Sequence, residues 1–497
     1  MRDWLVHIRR NKDATLQAQI REAMVTAVLD GQLAGNEPVP SSRKLAKTLG
    51  VSRNTVVLAY QGLLEDGYID ARERSGYYVS ERAVAAVKNR PQSKPMVVEP
   101  GRGPDWGSLF NVRPARQENI RKPINWQDYP YPFIYGQADH TLFPLSDWRD
   151  CALQSLGRKW LATWTNDNRE EDDPLLIEQI RRRILPRRGI MARDDEILVT
   201  LGAQNALYLL CALLVNQHTQ VAMEEPGYSD IRNIFRLKTD KVALVPLDDE
   251  GIMLTDEVAA SDVLFTTPSH QFPTTITMSL NRRMDLLQMA EENETIIIED
   301  DYEFETNYVN EPCPALKSLD DTGRVVYVGS FSKTLFSGLR LGFMVGPKKL
   351  IEEARALRRL MVRHAPNNNQ RTAALFLSLG HHDTLIRRLN RAYRARWETM
   401  NAALEKHLPG CSEAPSFGGT SFWVKGPKGT DCEKLGIAAL EQGVVIEPGR
   451  IYFGGRPRPT NYFRLGFSSI SENLIEEGIE QLAEVMEEMQ SSHGQTE

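Results

Sequence analysis

Apolar side chains recur at mostly three- and four-residue spacing through residues 15–31 (Leu16, Ile20, Ala23, Met24, Ala27, Leu29), which predicts an amphipathic helix ending near Gly31. A turn bounded by Pro38 and Pro40 leads to Ser41 and Ser42, either of which can cap a short helix running through Leu49. Gly50 makes the break and Ser52 caps the next helix. Val56, Val57, Ala59, Tyr60, Leu63 and Leu64 are available for its inner face until Gly67 stops it. Residues 68–71 and 76–79 read as two short strands joined by the basic tip Arg72-Glu73-Arg74-Ser75.

From residue 81 to 128 the periodicity lapses into Pro, Gly, Asn and charge, the composition of a linker, part of it laid on a neighbouring domain. Beyond it, short apolar runs (EILVT, VAMEE, KVALVPL, VLFTT, TIIIED, VVYVGS, LGFMV) alternate with helical segments at 203–215 and 279–292. That alternation predicts a mostly parallel sheet covered by helices on both faces. Residues 350–407 read as largely helical. Residues 415–497 mix SFWV, GVVIEPG and YFRLGF with a final helix over 473–490, a smaller α+β subdomain. The domain reading is a unit at 1–80, a linker at 81–128 and a large domain at 129–490.

Composition changes this picture mainly through charge. The 497 residues, at about 150 per domain, allow roughly three folding units, and 41% hydrophobic content excludes disorder for most of the chain. The net charge of −6 hides an asymmetry: residues 1–90 hold 14 Lys and Arg against 10 Asp and Glu, the remainder 46 against 56. No run approaches the roughly 18 apolar residues of a membrane helix, and the start, MRDWLVHIRRNKD, lacks the apolar core of an export signal, so a cytoplasmic protein without membrane contact is expected. Cys151, Cys211, Cys313, Cys411 and Cys432 are widely separated without a CxxC pair, which argues for reduced thiols and no metal site.

A helix entering a DNA major groove needs short polar or basic side chains at its start, an apolar back, and cations beside it for phosphates. Ser52-Arg53-Asn54-Thr55 supplies that start, with Arg53 and Asn54 suited to base edges. Arg43, Lys44, Lys47, Arg72 and Arg74 are suited to phosphates. Read together, LQAQIREAMVTAVLDGQL, PSSRKLAKTLGVSRNTVVLAYQGLLEDGYI and SGYYV resemble the winged helix-turn-helix of the GntR superfamily. The resemblance implies double-stranded DNA contacts at Ser42-Arg43, at Ser52, Arg53, Asn54 and Thr55, and in the wing at Gly76. Tyr77 stands where that family commonly has a smaller residue.

A pyridoxal phosphate site needs a lysine amine, a carboxylate beside the pyridine nitrogen, phosphate donors and a surface against the ring. Asp300, ending TIIIED, is placed for the nitrogen, and Tyr302 for the ring oxygen. Lys333, in Ser330-Phe331-Ser332-Lys333-Thr334, is the Schiff-base candidate. Ser330, Ser332, Arg340 and the helix start at Ala203-Gln204 make an anion site. Tyr228, in Glu225-Pro226-Gly227-Tyr228, supplies a ring to stack, and the segment containing His270 lines the ring-oxygen side. In this order the words resemble fold-type I, aspartate-aminotransferase-like enzymes over residues 130–490. By that resemblance Arg464, in Tyr462-Phe463-Arg464-Leu465-Gly466-Phe467, grips the acidic group of the amino compound.

The two halves in this order resemble the MocR subfamily of bacterial regulators. That resemblance implies a head-to-tail, domain-swapped homodimer controlling promoter DNA in response to an amino compound that displaces Lys333 and forms an external aldimine. The rival reading is an aminotransferase that carries a DNA-binding domain, because an intact site permits sensing and turnover alike. Two departures from the pattern bear on local geometry: Thr275 follows Pro273-Thr274 where glycine is frequent, and Arg169-Glu170-Glu171-Asp172-Asp173-Pro174-Leu175 lacks the glycine usual before the proline.

Overall fold

The computed structural model describes residues 14–88, 103–134, 136, 139–167, 170–310, 313–412, 414–415 and 417–493. The N-terminal stretch read for an export signal, residues 89–102 of the expected linker, and Arg169 lie outside them. The chain divides into two units, Met1–Phe110 and Asn111–Glu497.

In the first unit, helices Leu16–Leu29, Ser42–Leu49 and Arg53–Glu65 are followed by the antiparallel strands Ile69–Arg72 and Gly76–Val79. Ser41, not Ser42, caps the second helix, its hydroxyl accepting from the Lys44 amide at 3.3 Å. Ser52 caps the third, accepting from the Thr55 amide at 3.1 Å. Each such cap contributes about 1 kcal/mol to its helix. Ile20, Met24, Val28, Leu45, Val56, Tyr60, Leu63 and Val79 close one core between the helices and the hairpin.

The structure departs from the linker expected over residues 81–128 at its first end. Glu81–Lys88 is a helix whose Val84 enters the core of the first unit, with Ala83 packed against it. At the other end, residues 111–128 belong to the large unit.

The large unit is built on an eight-stranded sheet in the order Ile197–Thr200, Gly342–Val345, Val325–Ser330, Ile296–Asp300, Val263–Thr266, Val221–Glu225, Val242–Asp248, Gly251–Ile252. The five strands from Val325–Ser330 to Val242–Asp248 are parallel. Gly342–Val345 runs antiparallel to both its neighbours. Helices cover both faces, so the central strands are apolar up to their C-terminal ends: Ile297, Ile298, Leu264, Phe265, Val326 and Val328 are all buried. The parallel strands end together, and Glu225, Thr266, Asp300 and Ser330 emerge at their C-terminal ends, where ligands bind in open α/β sheets. A three-stranded sheet of Ser421–Lys425, Tyr462–Gly466 and Glu447–Pro448 forms the core of the C-terminal part.

Asp173 and Thr275 account for the two departures. Asp173 caps helix Pro174–Gln179, accepting from the amides of Leu175 and Leu176, and is held by Arg371 Nε at 2.7 Å. Thr275 adopts φ +67°, a left-handed conformation that glycine accepts more readily, in a turn closed by its amide on the Gln271 carbonyl at 2.7 Å.

Candidate cofactor site and nucleic-acid interface

A cavity of about 490 Å³ opens at the C-terminal ends of the parallel strands. Nine of the ten cofactor residues expected from the sequence line it: Ala203, Gln204, Tyr228, Asp300, Tyr302, Ser330, Ser332, Lys333 and Arg340. The exception is His270. Its imidazole is buried outside the lining, and only its carbonyl serves the site, accepting from the Tyr302 hydroxyl at 2.8 Å. Phe272, two residues on, takes the place at the wall. Thr267, Ser337, Ile120, Lys122, Gly136, Glu447 and Tyr452 also line the cavity. The sequence reading passed over these because they come from stretches read as linker, turn or plain strand.

At the anion end, helix Ala203–Leu214 points its first amides into the cavity beside Arg340. Gly202, at φ +87°, precedes that helix and borders the Arg340 guanidinium. Ser330, Ser332 and Ser337 complete the polar rim.

In the middle, Asp300 is buried and its Oδ1 has no hydrogen-bond partner within the protein. Burial, with the neighbouring Asp301 charge, pushes its carboxyl up to about 8, against a downward pull from Lys333. Asp301 turns the other way, accepting from Arg188 Nε at 2.6 Å and the Tyr327 hydroxyl at 2.9 Å, so only one of the two carboxylates faces the cavity. Burial brings the Lys333 ammonium down to about 7, the nearby Lys122 and Arg464 charges adding to it while Glu303 and Glu447 oppose it. Lys333 Nζ lies 5.7 Å from the centre of the Tyr302 ring.

Aromatic rings form the remaining wall. Phe272 meets Tyr228, Tyr302 and Tyr452 edge-on at 5.2, 6.0 and 5.3 Å between ring centres. The Tyr228 hydroxyl donates to Gln204 Oε1 at 2.8 Å, fixing the ring between the helix start and Phe272. Beneath them Glu224, fully buried, accepts from Thr266, Thr267 and Gln271, which braces the loop carrying Thr267 and Phe272. Arg464 is fully buried and is not on the cavity wall: its Nε donates to Ser421 Oγ at 2.9 Å and its guanidinium lies 4.2 Å from the centre of Phe272.

In the first unit, Arg53 and Asn54 are exposed at the start of helix Arg53–Glu65, Thr55 is half-buried, and Arg43 is exposed on the preceding helix beside half-buried Ser42. The Ser52 hydroxyl is engaged by the Thr55 amide and lies 2.7 Å from the Thr55 hydroxyl. Arg72 lies 4.2 Å over the Tyr78 ring and bonds Asn36, while Arg74 and Gly76 are exposed at the hairpin tip. Tyr77 faces inward, edge-on to Tyr60 at 5.1 Å, so its bulk is spent on the core and not on the wing tip.

Residues 16–79 match the model for bacterial regulatory proteins of the gntR family, and residues 172–482 match the model for aminotransferase class I and II. The HTH-type transcriptional regulator TauR of Rhodobacter capsulatus is 44% identical over 95% of this chain and 96% of its own length. The chain belongs to the MocR subfamily of GntR-type transcriptional regulators. The probable rhizopine catabolism regulatory protein MocR of Rhizobium meliloti is 30% identical over 97% and 96% of the two chains. Among solved structures, the kynurenine aminotransferase of Pyrococcus horikoshii in complex with PMP matches with a TM-score of 0.70, 28% identity and coverage of 78% of this chain and 98% of that one. LysN of Thermus thermophilus, complexed with N-(5'-phosphopyridoxyl)-L-leucine, matches with a TM-score of 0.69, 27% identity and coverage of 78% and 99%.

This MocR-type chain is a DNA-binding transcriptional regulator whose large domain has the fold-type I architecture, and its cofactor is pyridoxal 5′-phosphate. The residues present fit that group: a buried carboxylate oxygen without a donor faces the cavity at Asp300, as a pyridine N–H requires. No helix among the described residues is long and apolar enough to cross a membrane.

Proposed function

We propose that the protein senses a primary amine bearing an acidic group through its pyridoxal phosphate site and converts occupancy into altered promoter binding. The observation that carries this is the meeting of a near-neutral lysine and a partnerless buried carboxylate in one cavity, Lys333 and Asp300, on a chain that begins with a DNA reader. Bound there, pyridoxal phosphate would supply an aldehyde group for exchange between the Lys333 amine and an incoming primary amine. Asp300 would hold the proton on the pyridine nitrogen, Tyr302 would steady the ring oxygen, Tyr228 would cover a ring face, and Ala203, Gln204, Ser330, Ser332 and Arg340 would hold the phosphate. Arg464, behind Phe272, takes the acidic group. The exchange favours one of two conformations of the large domain to the extent that they bind the effector with different affinity.

Operator contacts fall to Arg53 and Asn54 at base edges, to Ser42, Arg43, Ser52 and Thr55 along the strand, and to Arg72, Arg74 and Gly76 from the wing. Two chains associate head to tail, each reader crossing to the partner's large domain. The exposed Leu145, Leu153, Leu156 and Leu161 offer an apolar face for that association. The protein works in the cytoplasm, where promoter DNA and reduced thiols coexist.

The test is a spectral screen of the holo-protein against amines, with binding to its own upstream DNA followed in parallel. An amine that changes the visible absorbance of the bound cofactor is expected to change DNA affinity or geometry, and Lys333→Ala is expected to abolish both responses. Unchanged DNA binding under full spectral conversion overturns the proposal. Sustained multiple-turnover release of keto acid would favour an enzyme in its place.

A further inference from the structure

The described residues lining the cavity include three cations: Lys333, Arg340 at the anion end, and Lys122, from the segment that opens the large unit. Arg464 stands behind Phe272, so an acidic group entering the cavity meets Lys122 before it meets Arg464. Lys122 is fixed by a built arrangement. Its Nζ lies 2.8 Å from Glu447 Oε1, and Glu447 is only 4% exposed. Glu447 is itself set on a strand, directly across from Arg464, and accepts from the Tyr452 hydroxyl at 3.3 Å.

Polar contacts tie the segment that carries Lys122 to the rest of the large unit. Gln117 Nε2 donates to the Asn233 carbonyl at 2.9 Å, Asn233 returns a bond to the Glu118 carbonyl at 2.8 Å, and Arg458 pairs with Glu118. Ile120 packs on Phe272 and Tyr452. On its other side is a second cavity of about 360 Å³, which shares Ile120, Glu447 and Tyr452 with the first. Residues 117–122 are therefore a partition between two cavities and not part of a packed core. An ammonium with three donors can serve Glu447 and an effector oxygen together.

We propose that Lys122 selects the effector: held at the wall by Glu447, it binds the acidic group of the incoming amino compound jointly with Arg464, and so ties occupancy of the site to the segment that opens the large unit. The ligand class is a primary amine with a single carboxylate or sulfonate. This rests on the reading of the cavity as an amine-sensing cofactor site. Lys122 contacts the effector, and Glu447 is a positioning residue.

The experiment uses full-length holo-protein, wild type and Lys122→Met, Lys122→Arg and Glu447→Gln, with 3-aminopropanoate, 4-aminobutanoate and 2-aminoethanesulfonate as acidic probes and propylamine as the amine without an acid. Half-saturation is read from the visible absorbance of the bound cofactor, and hydrogen exchange is read at residues 114–122. The expected result is that Lys122→Met weakens the acidic probes about tenfold to hundredfold relative to propylamine, the scale of one charged hydrogen bond, the propylamine titration of each variant correcting for the altered charge beside Lys333. Lys122→Arg restores most of the preference, and Glu447→Gln shows a partial loss. Acidic probes slow exchange at 114–122 in the wild type and not in Lys122→Met. The proposal is overturned by equal acid-to-amine preference in wild type and Lys122→Met, or by no preference in the wild type. If no amine changes the wild-type absorbance, the cofactor reading fails separately, and calorimetric binding of the acidic probes to wild type and Lys122→Met decides the role of Lys122.

Discussion

Gly136 approaches Lys333 so closely that a β-carbon on it would stand 2.8 Å from the lysine nitrogen, and its backbone sits at φ +80°. Both facts point to a backbone path that only glycine follows without moving the reactive amine. Gly136→Ala is expected to leave the fold intact, at a cost of about 1 kcal/mol, and to lower covalent cofactor retention by about tenfold as Lys333 is pushed aside. Thermal unfolding and the ratio of visible to ultraviolet absorbance after dialysis measure the two effects.

Lys333 gives the cofactor-loading reaction its pH dependence. With its ammonium brought to about 7 from an ordinary 10.5, the neutral, nucleophilic amine becomes dominant as pH rises through 7. Reloading of cofactor-free protein is expected to quicken about tenfold between pH 6 and pH 8 and then level off. Stopped-flow absorbance reads this directly. An unshifted lysine would instead keep gaining rate to beyond pH 10.

Asp300 is costly to the protein without its cofactor. Its carboxyl titrates near 8 in the fold against 3.8 in the open chain, so between those values the folded state holds more protons and its contribution to stability falls as pH rises. Asp300→Asn is expected to stabilise the cofactor-free protein at pH 8–9, on the order of 2 kcal/mol, while weakening cofactor binding. Differential scanning calorimetry with and without pyridoxal phosphate separates these opposite effects. A loss of stability in the cofactor-free variant would contradict the assignment of Asp300 as a carboxylate awaiting a donor.

Both halves of the fold were legible because their signals are local: capping serines ahead of apolar-periodic helices, and short apolar strands alternating with helices. The core of the site was legible for the same reason, since Asp300 and Ser330 end strands and Lys333 follows three residues after one. His270 was misplaced because one-residue steps in the loop after Val263–Thr266 decide which side chain faces the cavity, and the turn at Thr275 gives that place to Phe272. Lys122 and Glu447 were invisible because 325 positions separate two residues that are ordinary alone and matter only as a pair. Arg464 was singled out by its motif, but its place behind Phe272 depends on ring packing that no motif records.

The DNA reader allows the capping duty of Ser52 to be separated from the base contact proposed for Arg53, one position on. Ser52 caps the helix that Arg53 begins, its hydroxyl committed to the Thr55 amide, whereas Arg53 is exposed and has no such duty. Ser52→Ala is expected to destabilise the first unit by about 1 kcal/mol and to weaken DNA binding at every sequence. Arg53→Ala is expected to leave the melting transition in place and to cost about 1–3 kcal/mol of binding at its operator base pair, relaxing specificity there. Arg74→Ala, at the exposed wing tip, is expected to weaken binding uniformly and to reduce the salt slope by about 1, as loss of one phosphate contact does. Fluorescence anisotropy on the operator and on single-base variants, at several salt concentrations, distinguishes the three patterns. An Arg53→Ala variant that lost affinity equally for all sequences would move Arg53 from base reading to phosphate binding.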